Sequence, residues 1–299
     1  MITRANLNPE KYHRLAFNRE KLPDLASAGH VSASLLSRVR NPLLFMTQQE
    51  KESTPDMSWG SLVDMLWLTP NLFDNYYVVL PENAPQKPTA AMLSAKKPSP
   101  ESVARQKWWA DFESTQRGRE AVPEPLYREA QRAISMLNQH PVARDLRQRS
   151  EPQVAMVGKS VHKDVTFQVK ALMDMVCADA ILDLKTTNDL SESGTDKAMV
   201  SYEYALKMTW YRRIMREAGQ PKESTYLIWQ RSSFPYDVKV RRFHPDDLDM
   251  MEEVIERRLD TLISIDPKNL SSLYDTEIRI TPLPIWAQKS YMLELGRAD

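Results

Sequence analysis

From residue 165 the chain alternates, with apolar Val165, Phe167, Val169 and Ala171 separated by polar Thr166, Gln168 and Lys170. A period of two is the pattern of a half-buried strand. Ala180 to Thr187 (AILDLKTT) reads as a second short strand. Cys177-Ala178-Asp179 leaves a tight connection between them, so the pair predicts a hairpin. Residues 197–218 predict one amphipathic helix, followed by strands at Ser224 to Arg231 and Tyr236 to Phe243. Pro245-Asp246-Asp247 then opens a helix to about Ile263, with acids in the first turn, where the helix dipole favours them.

The first half reads differently. Ser32 and Ser34 precede an apolar-periodic stretch that reaches Phe45 and Met46, interrupted at Pro42. Gly60 to Leu68 (GSLVDMLWL) is a second helical segment, stopped before Pro70. Five prolines between 81 and 100 mark a loop or linker, and residues 101–149 are helix-prone with breaks at Pro123, Pro125 and Pro141. The expectation is an α/β protein: a mixed sheet flanked by helices, with a helical N-terminal half. Residues 1–80 form the helical N-terminal part, 81–100 the linker, and 101–299 a helical segment plus the α/β core, in one domain overall.

Composition narrows this only a little. Lys+Arg and Asp+Glu both total 40, so no global positive field points to nucleic acid, although only the surface that touches phosphate need be basic. Cys177 is the single cysteine, which excludes an intramolecular disulfide and a cysteine-rich zinc cluster. The opening MITRANLNPEKYHRL lacks the apolar run of a signal peptide, and no stretch reaches membrane-spanning length; the expected location is the cytoplasm, with no membrane partner. Neither GxxxxGK[ST] nor GxGxxG occurs, and the histidines lack HxxxH spacing.

The chemistry rests on Asp183-Leu184-Lys185. Residues i and i+2 of a strand share a face, so a carboxylate able to bind Mg²⁺ stands beside an ammonium able to orient water or stabilise phosphate charge. Asp-x-Lys recurs at Asp237/Lys239 and Asp266/Lys268, and context separates the three. Asp266/Lys268 reads as a turn, and Asp237/Lys239 as a solvent-facing strand. Only Asp183 lies in an apolar strand behind a second carboxylate, Asp174, which interrupts the apolar LMDMVC. A buried carboxylate asks for a partner or a metal, and a divalent cation would relieve repulsion between two of them.

Asp174, an eight-residue gap and Asp183-Leu184-Lys185 resemble the PD-(D/E)xK nuclease signature. More of the chain is similar to the exonuclease VIII (RecE) family of phages and prophages: VSASLLSRVRNPLLF, WGSLVDMLWLTPNLFDNYYVV, HPVARDLRQRSEPQ, ILDLKTTNDLS, SYEYALKMTWYRRIM and LPIWAQ. The resemblance implies a restriction-endonuclease-like core with Asp174, Asp183, Lys185 and Glu151 as catalytic residues. It implies Mg²⁺, with Mn²⁺ as a substitute, on Asp64, Asp174 and Asp183. It further implies 5′–3′ digestion of linear double-stranded DNA to leave 3′ single strands for recombination, a homo-oligomeric ring, and a single-strand annealing protein as partner. A phage-encoded protein would act in the bacterial host cytoplasm.

The chain departs from the family where Asp64 replaces a His, Lys207 a Gln, and Leu172-Met173 an Arg-Pro. Lys207 and Tyr211, four apart on one helical face, line a DNA path with Tyr204 and Arg212 in this reading. Arg213, Arg241, Arg242, Arg117 and Arg119 are further phosphate candidates, whereas Trp59, Trp67, Trp108, Trp109 and Trp229 read as core. The departures keep open a nuclease-fold module that grips DNA or a protein without cutting. A structural reading, with the carboxylates in internal salt bridges, is also open.

Overall fold

The computed structural model describes residues 1–299 apart from 8, 23, 49–54, 275, 279–280, 296 and 298–299. The alternation at residue 165 belongs to a twelve-residue strand in a mixed sheet. In chain order its strands are β1 (Ile2–Arg4), β2 (His30–Val31), β5 (Glu151–His162), β6 (Val165–Val176), β7 (Ala180–Thr187), β8 (Ser224–Arg231) and β9 (Val238–Arg242). A separate parallel ribbon joins β3 (Tyr77–Leu80) to β4 (Glu120–Pro123), an element the helix-prone reading of 101–149 did not anticipate.

β1, β5, β6 and β7 run antiparallel in that order, β7 and β8 are parallel, and β9 closes the sheet antiparallel to β8. The expected hairpin is present but short-lived. β6 pairs with β7 only at Met175↔Leu182 and Val176↔Ile181. Farther along the same edge, β2 pairs parallel with β6 at His30↔Gln168 and Val31↔Val169. Among the described residues, positions 170–174 of β6 therefore have no strand on that edge.

Short helices α1 (Pro9–His13), α2 (Leu25–Ala28), α3 (Ala33–Arg38) and α4 (Pro42–Thr47) precede α5 (Pro55–Leu68), α6 (Phe73–Tyr76) and α7 (Ala90–Leu93). Ser32 caps α3 through Leu35 N–H and Asn41 caps α4 through Leu44 N–H, each satisfying an orphan donor of the first turn. The Pro-rich 81–100 segment thus holds the one-turn α7 and ends in the proline that starts α8 (Pro100–Gln116). Next come α9 (Glu124–Gln139) and α10 (Pro141–Gln148), broken at the expected prolines.

The single helix expected over 197–218 is two, α11 (Glu192–Ser201) and α12 (Tyr204–Glu217). Glu203 lies between them in the left-handed region (φ 50°), where the chain turns before α12 begins, and Arg258 bonds its carboxylate at 3.0 Å. α13 (Pro245–Ser264) matches its expected span, and α14 (Ile285–Glu294) carries the LPIWAQ tail with most of its large apolar side chains exposed. The last strand starts at Val238, two residues later than the pattern suggested.

Two cores hold these layers together. Ile181, Leu227 and Trp229 pack with residues of α3, α12 and α13, whereas Leu182, Leu184 and Ile228 pack with residues of α5, α9 and α10. β7 and β8 thus bury both faces, as a near-continuous apolar run requires. β6 passes between the cores: Met173 lies in the first and Met175 in the second, which puts Asp174 at the crossing. Trp59, Trp67 and Trp229 are core, but Trp108 and Trp109 on α8 are only half-buried, against Phe112 and one another. Met173→Ala should cost about 2–5 kcal/mol in urea unfolding, as cavity formation at a fully buried site does. The exposed Val161→Thr should stay within about 0.5 kcal/mol. Equal loss in both would contradict this placement of the core.

Candidate active site

Asp174 and Asp183 are the pair that would come next on the β6–β7 ladder, and there the strands have parted. Asp174 occupies the opening. Its Oδ2 accepts the Leu184 N–H at 2.9 Å, supplying the acceptor that a neighbouring strand would otherwise provide. Two side chains of α12 close the β6 edge in the same way: Trp210 Nε1 donates to Lys170 O at 3.2 Å and Tyr211 Oη to Leu172 O at 2.6 Å. Side chains thus seal the seam in the sheet, and one of them is a candidate catalytic carboxylate.

Asp183 lies beneath, with no solvent exposure. Lys207 Nζ, from α12, donates to its Oδ1 at 2.8 Å, and Lys185 Nζ lies against its Oδ2 while donating to Leu184 O at 2.9 Å. Both oxygens of Asp183 are thus engaged by ammonium groups, Oδ2 as an ion pair with Lys185. Each ammonium also stands over an aromatic face, Lys185 on Tyr204 at 5.4 Å and Lys207 on Tyr211 at 5.5 Å. Asp64 approaches from α5. Gly60, four residues earlier on the same helical face, lets that helix lie close to β7: a Cβ there would stand 3.3 Å from Thr186 Oγ1.

The three carboxylates do not titrate alike. Burial, and then the charge of Asp183, push Asp174 up to about 6, and burial with Asp174 nearby pushes Asp64 well above the ordinary carboxylate range. Burial would raise Asp183 too, but Lys185 and Lys207 override it and hold that carboxyl below its usual value. Conversely, burial opposes charge on both lysines, and Asp183 keeps them charged by raising their pKa values.

A cleft of about 1410 Å³ opens above this cluster, lined by Asp64, Asp174, Tyr204, Lys207 and Tyr211. Arg19, Arg38, Arg117 and Arg119 also line it, so positive charge gathers at the mouth of a chain with no net charge.

A family model described as a PDDEXK-like domain of unknown function (DUF3799) matches residues 41–273, which span α5, the sheet from β5 to β9, and every residue of the cluster. The chain belongs to this family. Asp174, Asp183 and Lys185 all lie within the matched span. A protein from Eubacterium rectale described as a candidate exonuclease shares the fold, at 13% identity and a TM-score of 0.54, over 96% of this chain and 99% of that one. A phage related exonuclease from Haemophilus somnus superposes more loosely, at 8% identity and a TM-score of 0.32, over 82% and 96% of the two chains. No curated protein matches the sequence.

PDDEXK-like nucleases generally use divalent metals. Three carboxylates supply the oxygen donors that a hard cation prefers, although Asp183 Oδ2 already lies against Lys185. In kind, the residues fit. Among the described residues, however, no three acidic, His or Cys side chains stand around one point, and the lysines draw Asp183 to themselves.

Two expected site residues lie elsewhere. Glu151 opposes Val176 at the far end of the hairpin, is half-exposed and is paired with Arg4. Arg212 turns toward Asp249 on α13 at 3.6 Å and does not line the cleft. Arg213 and Arg241 are likewise tied up, with Glu217 and Glu256 and with Asp196. Asp237 pairs with Arg231 at 3.5 Å, and Asp266 forms the expected turn by accepting Lys268 N–H.

The sequence reading missed Gln153, Arg19 and Arg38. Gln153 faces Asp174 across β5–β6 but is skipped by the ladder, and its left-handed backbone (φ 51°) turns it into the cleft lining. No periodicity marks such a kink in advance.

Asp183→Asn leaves two half-buried ammonium groups without their carboxylate at a fully buried position, and should cost about 3–5 kcal/mol in urea unfolding with chelator present. Glu151→Gln, at an exposed pair, should stay within about 1 kcal/mol. If Asp183→Asn were as stable as the wild type, the pairing drawn here would be wrong.

Proposed function

We propose that this PDDEXK-like protein is a divalent-metal-dependent exonuclease that degrades linear double-stranded DNA, in the manner of exonuclease VIII. The observation that carries the reading is the juxtaposition of Asp174, which lines an arginine-bearing cleft, with the Asp183–Lys185 pair packed behind it. A bound Mg²⁺ or Mn²⁺, held by Asp174 and Asp183 with Asp64, would supply charge neutralisation and an activated water. The protein's own groups account for the rest. Lys185, kept protonated by Asp183, acts as a fixed ammonium that stabilises charge building on the scissile phosphate, not as the base that takes a proton from water. Asp174, held by the Leu184 N–H through Oδ2, lines the cleft where the metal would sit. Arg19, Arg38, Arg117 and Arg119 contact the phosphate backbone and position it without reading sequence.

The exonuclease VIII resemblance adds the finer points: 5′–3′ polarity, 3′ single strands passed to an annealing protein for recombination, a homo-oligomeric ring, and action in the host cytoplasm. Among the described residues no helix is long and apolar enough to cross a membrane. A second reading, a module that grips DNA without cutting it, draws on one observation: Lys207 sits on the carboxylate that a metal would use.

The two readings part on linear duplex DNA labelled at either end, incubated with Mg²⁺. Loss of the 5′ label first, with circular duplex spared, is the expected result. Lys185→Ala should slow cleavage roughly 10²–10³-fold, as removal of one charge-stabilising donor does, and Asp183→Ala should abolish it. Retention of DNA without cleavage in Mg²⁺ and Mn²⁺ would establish the second reading instead.

A further inference from the structure

We infer that Tyr202 is a stacking platform for an unpaired base at a DNA end, so that the cleft takes a splayed strand end and not an intact helix. This inference rests on the nuclease reading of the site and names the form of DNA that enters it. Tyr202 follows the last residue of α11, lines the cleft and is 68% exposed. Its ring lies on that of Tyr204, with centroids 5.6 Å apart and planes 25° apart. One face is covered in this way, and the exposed remainder borders the cleft.

The platform is built from fixed parts. Tyr204 meets the buried Trp229 edge-on at 5.6 Å, and Lys185 Nζ lies 5.4 Å from its ring centroid. The ladder Tyr202–Tyr204–Lys185 therefore runs from solvent to the Asp183–Lys185 pair. Glu203, between the two tyrosines, holds a left-handed backbone (φ 50°) that costs any residue with a Cβ, and Arg258 binds its carboxylate at 3.0 Å. The same guanidinium donates to Leu36 O at 3.0 Å and Ser37 O at 3.1 Å. It thereby ties the turn to α3, whose Ser34, Ser37 and Arg38 line the same cleft. The turn is braced, yet Tyr202 stays uncovered. A tyrosine presented like this gives up little conformational freedom when a flat ligand lands on it.

The chemistry of the occupant follows. A flat aromatic surface extends an offset stack, and every nucleobase has such a face whatever the sequence. Inside a duplex both faces of a base are covered by its neighbours, so the ring can receive only a terminal or unpaired one. The arginines of the cleft favour this occupant over a protein surface, because each nucleotide brings a negative charge with its base.

The test reads binding and does not depend on cleavage. Linear duplexes carrying one abasic nucleotide, placed in turn at the first few positions from either end, are bound to the full-length protein in Ca²⁺, and gels confirm that the DNA stays intact. Wild type, Tyr202→Ala and Tyr202→Phe are compared, with folding checked by circular dichroism. Tyr202→Ala should bind unmodified duplex roughly 5–100-fold more weakly, as loss of one base–aromatic stack does, and Tyr202→Phe should bind like the wild type. At one position the missing base should weaken the wild type by a similar factor and leave Tyr202→Ala unchanged, because ring and base form one contact. A merely structural ring would not produce that dependence. Wild-type affinity in Tyr202→Ala, or abasic costs that are the same with and without the ring, would overturn the inference and leave the nuclease reading standing. So would a Tyr202→Ala variant altered only in oligomer size by sedimentation, since the ring would then belong to a contact between copies. No binding of linear duplex by the wild type would remove both.

Discussion

Where β6 and β7 separate after two paired positions, the sheet must replace a run of backbone hydrogen bonds with something else. Buried peptide groups left without partners cost more than the fold can spare, so the seam has to be sealed by side chains. Asp174 does this for Leu184 N–H, and Trp210 and Tyr211 do it for the carbonyls of Lys170 and Leu172. One requirement, satisfaction of backbone polar groups at a parted hairpin, thereby fixes the first carboxylate, aligns it beside Asp183 and docks α12. Lys207 and Tyr204 arrive on that same helix. The site is a consequence of how the sheet opens, not a decoration on its surface.

The electrostatics follow from this geometry. A carboxylate as enclosed as Asp183 is tolerable only with partners of opposite charge, and it has two. A buried ion cluster of this kind is a poor route to stability compared with apolar packing, so its presence points to chemistry. Asp64, raised by burial and by Asp174, and Asp174, raised by burial and by Asp183, are the carboxylates whose repulsion an added cation would relieve. Many basic side chains are paired with acids across the fold, while Arg19, Arg38, Arg117 and Arg119 line the cleft.

Much of this was legible in the sequence because it depends on local pattern. Alternation marked β6, Asp-x-Lys within an apolar strand marked the face proposed to carry chemistry, and the exonuclease VIII resemblance, in which Asp64 replaces a His, marked Asp64. The rest depends on what the chain meets elsewhere. Glu151 lies on the right strand, yet Arg4 from the edge strand draws it outward. Arg212 is one residue from the cleft-lining Tyr211, but a step of one along a helix turns it toward α13. The break at Tyr202-Glu203 carries no proline or glycine to announce it; it is held by Arg258, a residue 55 positions away. Gln153, Arg19 and Arg38 reach the cleft through a kinked strand and two distant helical segments, and no spacing encodes such a meeting.

The most direct measurement is the position of a bound ion. Crystals of the protein soaked in Mn²⁺ and measured at the manganese absorption edge would locate it by anomalous scattering. The account requires a peak between Asp64 and Asp174, in contact with Asp183, at the seam between β6 and β7. Anomalous density confined to surface carboxylates, with that seam empty in a well-ordered map, would contradict it.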